Sequence, residues 1–171
     1  MGRLKNRIMA ALITRFPRLF DLEKYSEKVE AVKVEGVPWT PLTKPLEKST
    51  VAIVTTAGVH LIGQKPFDMK DPDGDPTYRV LPSATPVSEL MITHDYYDHK
   101  DADRDMNIVF PAQRLAGMAD AGLIGAVAES NYGFMGHIVG AHVETLMKKT
   151  APEVAALLKG EGVDVVLLTP G

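Results

Sequence analysis

Histidine and carboxylate side chains are concentrated in one stretch of this 171-residue chain. The stretch contains His94, Asp95, Asp98, His99, Asp101, Asp103 and Asp105. Imidazole and carboxylate ligands suit zinc, iron or manganese, but this spacing matches no established metal motif. The acidic alternations at 71–75 and 101–105 lack the Gly and Glu of a calcium-binding loop. Turn capping by Asp is therefore the preferred interpretation, and a metal-dependent enzyme using His94, Asp98 and Asp105 is the alternative.

The rest of the chain offers acids, bases and amide donors but no good nucleophile. It contains no cysteine, which excludes disulfides, thiolate metal sites and a thiol nucleophile within these residues. It has neither a Gly-x-Ser-x-Gly nor a Gly-x-Gly-x-x-Gly motif. His60 would titrate near neutrality and is either a general acid or base or a satisfied structural donor. The turn-rich segment 131–136 lacks the lysine of a phosphate-binding loop, so packing is its preferred role.

Hydrophobic patterning predicts the strands that position these residues. Two β-branched runs, at 50–55 and 163–168, are typical of strands buried on both faces. A further strand is predicted at 89–94 and a weak one at 126–128. Strands that alternate with helices predict an α/β fold, a layered and mostly parallel sheet with helices on both faces. The expected sheet lacks the helix and strands that would complete it on the C-terminal side.

Helices and a long loop occupy the intervals between the predicted strands. Pro111 opens one helix, which Gly122 closes. The sequence Thr150-Ala-Pro-Glu153 has the pattern of a capping box and predicts that another helix begins there. Residues 63–86 are rich in Pro, Asp and Gly, which predicts a long ordered loop.

The sequence divides the chain into three parts. Residues 1–36 are predicted to form a helical arm, 37–49 an extended connector anchored by Trp39, and 50–171 an incomplete α/β domain. The formal charge of −3 gives no broad basic surface for nucleic acid. The apolar segment 8–13 is too short to span a bilayer, and no signal-peptide cleavage site follows it. A cytoplasmic location is therefore expected.

Three predicted strands end in polar or Gly-rich turns. These turns lie at 55–60, 94–98 and 169–171. In sheets of this kind ligands gather beyond the carboxyl ends of the strands. We therefore expect His60, His94 and Gly171 to approach one another at one edge of the sheet.

Several sequence blocks occur in an order that resembles a known family. The blocks are Val-Ala-Ile-Val-Thr-Thr-Ala-Gly-Val-His (51–60), Asp-Pro-Asp-Gly-Asp-Pro (71–76), His-Asp-Tyr-Tyr-Asp (94–98), Asp-x-Asn-x-Val-Phe-Pro (105–111), Phe-Met-Gly (134–136) and Gly-Val-Asp-Val-Val-Leu-Leu-Thr-Pro-Gly (162–171). Over residues 37–171 the chain resembles the selenoprotein B family of glycine, sarcosine, betaine and D-proline reductases. Residues 1–36 are not part of the resemblance.

The resemblance implies a substrate-side reductase subunit of anaerobic metabolism. Selenocysteine or cysteine is expected directly after Gly171, as the nucleophile of reductive C–N bond cleavage on a small amine or amino acid. A companion subunit would supply a pyruvoyl group and a dithiol protein the electrons, in an oligomer; no metal or other cofactor is expected in this chain. The pocket implied by the resemblance and the strand ends contains Thr56, Gly58, His60, His94, Asp98, Asp105, Asn107, Gly136, Thr169 and Gly171.

Two further expectations concern activity. A non-catalytic, small-molecule-binding descendant of the family is the alternative to an active reductase. We also expect the chain to stop at a UGA codon that specifies selenocysteine, because its most apolar strand would need a following helix as cover. Alone, this chain is expected to be inactive.

Overall fold

A five-stranded sheet forms the centre of the computed structural model, which describes residues 2–19 and 40–171. The strands are β1 Thr50–Thr55, β2 Val59–Leu61, β3 Arg79–Pro82, β4 Leu90–Ile92, β5 Ala126–Val127, β6 Ser130–Gly133 and β7 Val165–Thr169. The helices are α1 Gly2–Arg15, α2 Lys100–Arg104, α3 Ala112–Asp120, α4 Ala141–Thr145 and α5 Ala151–Gly160, with a π-helical turn, Leu146–Thr150, between the last two. Short 3₁₀ turns occur at 17–19, 46–48, 87–89 and 106–108. Trp39, the predicted anchor of the connector, lies outside the described residues.

The predicted parallel core is confirmed. Strand β1 pairs in parallel with β7 over five positions, from Val51 opposite Val165 to Thr55 opposite Thr169. On its other side β1 pairs in parallel with β5 and then with β6. Parallel pairing requires a crossover connection, which the helices between β1 and β7 provide. Among the described strands of this sheet, only β3, which pairs with β6, runs antiparallel.

Helices cover both faces of the sheet, as predicted. On one face Val51 and Ile53 pack with Leu115 of α3. On the other face Ala52 packs with Val154 and Leu158 of α5. At the free edge of β7 the apolar side chains are less well covered, and Leu168 is 72% exposed in the described structure.

The strand predicted at 89–94 is confirmed only in part. Residues Leu90–Ile92 form β4, but β4 pairs antiparallel with β2 in a separate two-stranded sheet. The chain turns sharply at Gly58, so β2 leaves the direction of β1 and can pair with β4 instead of extending the main sheet. The predicted position of His94 at the end of a parallel strand is therefore wrong.

Two predicted loops contain strands. The loop predicted at 63–86 includes β3, and the turn predicted at 131–136 begins with β6. Both strands are only four residues long, and their pairing with each other joins segments about 50 positions apart. A non-local pairing of such short segments leaves little trace in the local pattern.

The helix predicted to begin at Thr150 begins earlier. Thr150 has helical backbone angles, φ −73° and ψ −37°, and α4, the π turn and α5 run without interruption. The capping-box prediction is therefore wrong. Pro152 explains the π turn, because a proline inside a helix has no N–H and its ring displaces the carbonyl four residues before it. The helix predicted after Pro111 is confirmed as α3.

The N-terminal helix α1 is attached to the α/β domain at one end. Arg3 Nε lies 2.5 Å from a carboxylate oxygen of Asp95, whose side chain is almost fully buried. Farther along α1, Ala10 is 6% exposed. Among the described helices, none has the length and apolar character needed to cross a membrane.

Candidate functional site

Three chain segments meet beyond the carboxyl end of β1. The backbone N–H of Thr56 donates to Thr169 O at 2.9 Å, which joins the turn after β1 to the end of β7. The N–H of Gly58 donates to Phe134 O at 2.8 Å, and the N–H of Phe134 donates to Thr55 O at 2.7 Å. Backbone hydrogen bonds therefore hold the ends of β1, β6 and β7 as one rigid edge.

Gly58 brings His94 to this edge. Its φ of +75° lies in the left-handed region that favours glycine. A Cβ atom at this position would lie 2.6 Å from Thr93 O and 2.9 Å from the Cβ of His94. A residue with a side chain here would have to push the segment that carries His94 away.

His94 is buried, and both of its ring nitrogens face backbone N–H groups. The N–H of Tyr96 lies 3.2 Å from Nδ1, and the N–H of Gly136 lies 3.1 Å from Nε2. A charged imidazolium would point two donors at these two donors, so the surroundings favour the neutral ring. Burial, assisted by the nearby His137 and His99, lowers the pKa of His94 to about 4.

Tyr97 packs against His94 and binds the turn after β1. Its ring centroid lies 4.9 Å from that of His94 in an edge-to-face arrangement. Its hydroxyl donates to Ala57 O at 3.1 Å. Burial raises the pKa of the phenol, and the carboxylate of Asp103 acts in the same direction, so Tyr97 stays protonated at physiological pH.

Gly171 lies against the same two residues. A Cβ atom at Gly171 would lie 2.6 Å from the Cα of Ala57 and 3.1 Å from Cε1 of Tyr97. The turn after β7 is further fixed by Thr169, whose hydroxyl donates to Val109 O at 2.6 Å. His94 and Gly171, 77 positions apart in the chain, thus contact the same tyrosine ring.

His60 contacts Thr93, the residue that precedes His94 in the chain. Its Nε2 lies 2.8 Å from the hydroxyl of Thr93, and its Nδ1 lies 2.7 Å from Leu61 O. A neutral ring that donates from Nδ1 and accepts at Nε2 satisfies both contacts. Burial lowers the pKa of His60, in agreement with a neutral ring. These contacts favour the structural interpretation of His60 over the acid–base one.

Asp98, Asp105 and Asn107 make local contacts. Asp98 pairs with Lys100 at 3.1 Å, which lowers the pKa of the carboxyl. Asp105 accepts from the side chain of Asn107 at 2.9 Å and from its backbone N–H at 3.0 Å. These hydrogen bonds lower the pKa of the Asp105 carboxyl. Capping of turns by Asp was the preferred interpretation of this stretch, and Asp105 caps the 3₁₀ turn that follows it.

The metal-dependent alternative gains no support from these positions. Across residues 2–19 and 40–171, no three His, Asp or Glu side chains lie close enough together to hold a metal ion. Both ring nitrogens of His94 face backbone N–H groups, and Asp98 is paired with Lys100. The proposed ligands therefore do not point at a common position.

The Asp-rich loop at 71–76 contacts the segment that follows Gly136. Gly74 has a φ of +93° and bridges to Ile138, and Asp73 O accepts from the N–H of Val139 at 2.9 Å. In the same segment His137 stacks on Tyr96, with ring centroids 3.9 Å apart. The loop therefore holds the segment that follows Gly136.

Sequence reasoning missed Tyr97 and Ala57. Tyr97 was visible in the block His94-Asp-Tyr-Tyr-Asp98, but nothing in the block distinguishes its ring from that of Tyr96. Ala57 carries no chemistry of its own and acts through its carbonyl and its small size. Only the packing of the two segments shows that both residues contact the turn at Gly171.

Comparison with known families gives a match over almost the whole chain. The family described as glycine/sarcosine/betaine reductase selenoprotein B matches residues 5–171. The match begins well before residue 37, so the resemblance extends into the N-terminal arm. No solved structure matches significantly.

Individual relatives are subunits of multi-subunit reductases. The chain is 44% identical over 133 residues to D-proline reductase subunit gamma of Acetoanaerobium sticklandii, covering 78% of this chain and 53% of that protein. It is 28% identical to glycine reductase complex component B subunit gamma of Carboxydothermus hydrogenoformans and to betaine reductase complex component B subunit beta of Peptoclostridium acidaminophilum, with 86% of this chain covered in both cases. The aligned part is 34% and 33% of those two proteins. The chain thus spans about half the length of the first relative and a third of the other two.

Proposed function

We propose a function from the premise that this chain belongs to the glycine/sarcosine/betaine reductase selenoprotein B family. The chain forms the substrate-side part of a reductase subunit that cleaves a C–N bond reductively. The nucleophile is a selenocysteine or cysteine directly after Gly171 in the full-length protein. A companion subunit holds the amine through a pyruvoyl group, and a dithiol supplies the electrons.

The proposed reaction consists of three displacements. The selenolate or thiolate attacks the carbon, the C–N bond breaks, and the nitrogen leaves with the electron pair and takes up a proton. A donor thiolate then attacks the selenium or sulfur, and the carbon leaves with the bonding pair and takes up a second proton. The second donor thiol releases the nucleophile and forms a disulfide. The substrate thereby gains two electrons and two protons, and the dithiol is oxidised.

The packing of Gly171 is the observation that carries this proposal. Gly171 contacts Ala57 and Tyr97, and Tyr97 contacts His94. This packing supports a position for the following residue at the edge where the ends of β1, β6 and β7 are joined by hydrogen bonds. This edge is where parallel sheets bind their ligands.

The two ring residues of the site limit the acid–base chemistry that this chain supplies. His94 has a pKa of about 4 and is neutral at pH 7, so it is a poor proton donor. Tyr97 has a raised pKa and holds its proton. In the proposed reaction the protons for carbon and nitrogen therefore come from the dithiol, the companion subunit or water.

D-proline is the first candidate substrate. The identity to D-proline reductase subunit gamma, 44%, exceeds the 28% found for the glycine and betaine reductase subunits. The preference for D-proline therefore rests on overall identity.

The test uses the full-length protein together with its companion subunit. With dithiothreitol as electron donor, we expect D-proline to be reduced faster than glycine, sarcosine or betaine. Replacement of the residue after Gly171 by serine should abolish turnover. If the wild-type complex binds D-proline but reduces none of the four compounds, the chain is a non-catalytic binding descendant and the proposal is wrong.

A further inference from the structure

We infer that Tyr97 is a positioning residue that fixes the turn at Gly171 and so aims the nucleophile that follows it. This inference rests on the proposed function and adds a residue to it. It is carried by the contacts that one side chain makes, through its hydroxyl with Ala57 and through its ring with Gly171 and His94.

The hydroxyl contact ties Tyr97 to the turn after β1. The phenol donates to Ala57 O at 3.1 Å, and Ala57 is fully buried. Ala57 also bridges to Met135 in the segment after β6. The ring is therefore anchored to a part of the sheet edge where backbone hydrogen bonds join the neighbouring strands.

The ring contact ties Tyr97 to the turn after β7. Cε1 of Tyr97 and the Cα of Ala57 together close off the space in which a side chain at Gly171 would lie. The backbone at Gly171 can therefore approach closely only because this residue is a glycine. Because one side of the turn packs against the ring, the chain can leave Gly171 in only a restricted range of directions.

The third neighbour of the ring is His94. The two ring centroids are 4.9 Å apart with an interplanar angle of 75°, an edge-to-face contact that is favourable between aromatic rings. His94 in turn lies between the backbone N–H groups of Tyr96 and Gly136, and its neutral ring can accept from one of them. Tyr97 thus connects the turn at Gly171 with the segment at Gly136, and no charge is needed for this role.

Loss of the hydroxyl should free the ring without removing it. In Tyr97→Phe the ring still fills its place, but its bond to Ala57 is lost and the turn at Gly171 can shift. A positioning defect lowers kcat while leaving KM unchanged, because Tyr97 orients the nucleophile and does not bind substrate. We expect kcat to fall about tenfold, since displacements of an ångström or less are enough to slow such a step.

The experiment compares two hydroxyl deletions in the full-length protein with its companion subunit. Tyr97→Phe is the test, and Tyr78→Phe is the matched control, because Tyr78 packs against Tyr132 and Phe134 on the other face of the sheet. For each protein, kcat and KM are measured with D-proline. The rate at which iodoacetamide alkylates the residue after Gly171 is measured by mass spectrometry as a function of pH, and the thermal midpoint is recorded.

The expected result is a lower kcat, an unchanged KM and an altered alkylation profile in Tyr97→Phe, with Tyr78→Phe like the wild type. A Tyr97→Phe protein that matches Tyr78→Phe in kcat and in alkylation overturns the inference. A lower thermal midpoint accompanied by unchanged alkylation of the folded protein also overturns it, since the role is then only structural. A wild-type protein that is neither alkylated after Gly171 nor active overturns the proposed function itself.

Discussion

The backbone N–H of Gly136 lies 3.1 Å from Nε2 of His94, and this contact joins the turn after β6 to the segment after β4. The other ring nitrogen faces the N–H of Tyr96. The ring therefore has a backbone donor on each side. A neutral imidazole can accept from one of the two N–H groups, whereas an imidazolium can accept from neither.

The first prediction is a pH dependence of stability that originates at His94. The folded-state pKa of His94, about 4, lies below the ordinary histidine value of 6.5. The unfolded chain therefore binds more protons between these values, and the contribution of His94 is complete above pH 6.5 and is lost as the pH falls towards 4. The loss amounts to at most about 3 kcal/mol.

The measurement is the free energy of unfolding of the full-length protein from pH 7 to pH 4, for the wild type and for His94→Gln. Glutamine can accept one of the two N–H groups but does not titrate. The wild type should lose more stability than the variant over this range. Parallel pH curves for the two proteins would contradict the neutral buried state of His94.

The second prediction concerns Gly58. Gly58→Ala forces a side chain into the left-handed region and places it against Thr93 O. We expect a loss of about 2 kcal/mol or more in the free energy of unfolding. Gly63→Ala is the control, because a Cβ atom there has no neighbour within 4 Å. Chemical denaturation of both variants distinguishes strain at Gly58 from a general effect of the substitution, and equal midpoints would show that this strain does not exist.

The third prediction concerns a gap in the sheet. Between the pairs Val51–Val127 and Val54–Tyr132 the ladder is interrupted, and the side chain of Asn131 accepts from the N–H of Ile53 at 2.7 Å. Asn131→Ala leaves this buried donor without a partner, at a cost of about 1–3 kcal/mol.

Ser83→Ala is the matched control for Asn131. It removes the hydroxyl that accepts from the amide of Asn131 at 2.7 Å and donates to Ala128 O, and it leaves the bond to Ile53 in place. In an equilibrium unfolding experiment, Ser83→Ala should therefore lower the free energy of unfolding by less than Asn131→Ala does. A larger loss of stability in Ser83→Ala would mean that the bond to Ile53 is not the important one.

The fourth prediction tests the site through Gly136. A Cβ atom at this position would lie 3.1 Å from Thr56 O and 3.4 Å from Nε2 of His94, which is tight but can be relieved by small shifts. Gly136→Ala should therefore fold and should lower kcat/KM of the full-length complex by about tenfold. Gly117→Ala, on α3 with no neighbour within 4 Å, should retain wild-type kinetics. Wild-type kinetics in Gly136→Ala would remove this turn from the proposed site.

The sequence by itself determined the frame of the protein. The β-branched runs of β1 and β7 predicted buried strands, and the helices between them required a parallel pairing, which is confirmed. The order of short sequence blocks predicted the family, also confirmed. These features are local or follow from chain order, so no knowledge of the packing was needed. The boundaries between arm, connector and domain, and the full set of pocket residues, stay predictions.

Tertiary structure decided which residues meet. The pattern of residues 89–94 predicts a strand but does not choose a partner, and only the turn at Gly58 directs β4 to β2. The local sequence likewise does not indicate which of the two adjacent tyrosines, Tyr96 or Tyr97, contacts the turn at Gly171. Tyr97 contacts Ala57 and Gly171 because β1 and β7 end side by side. Contacts between residues so far apart in the chain depend on how strands and turns pack together, and no local pattern encodes them.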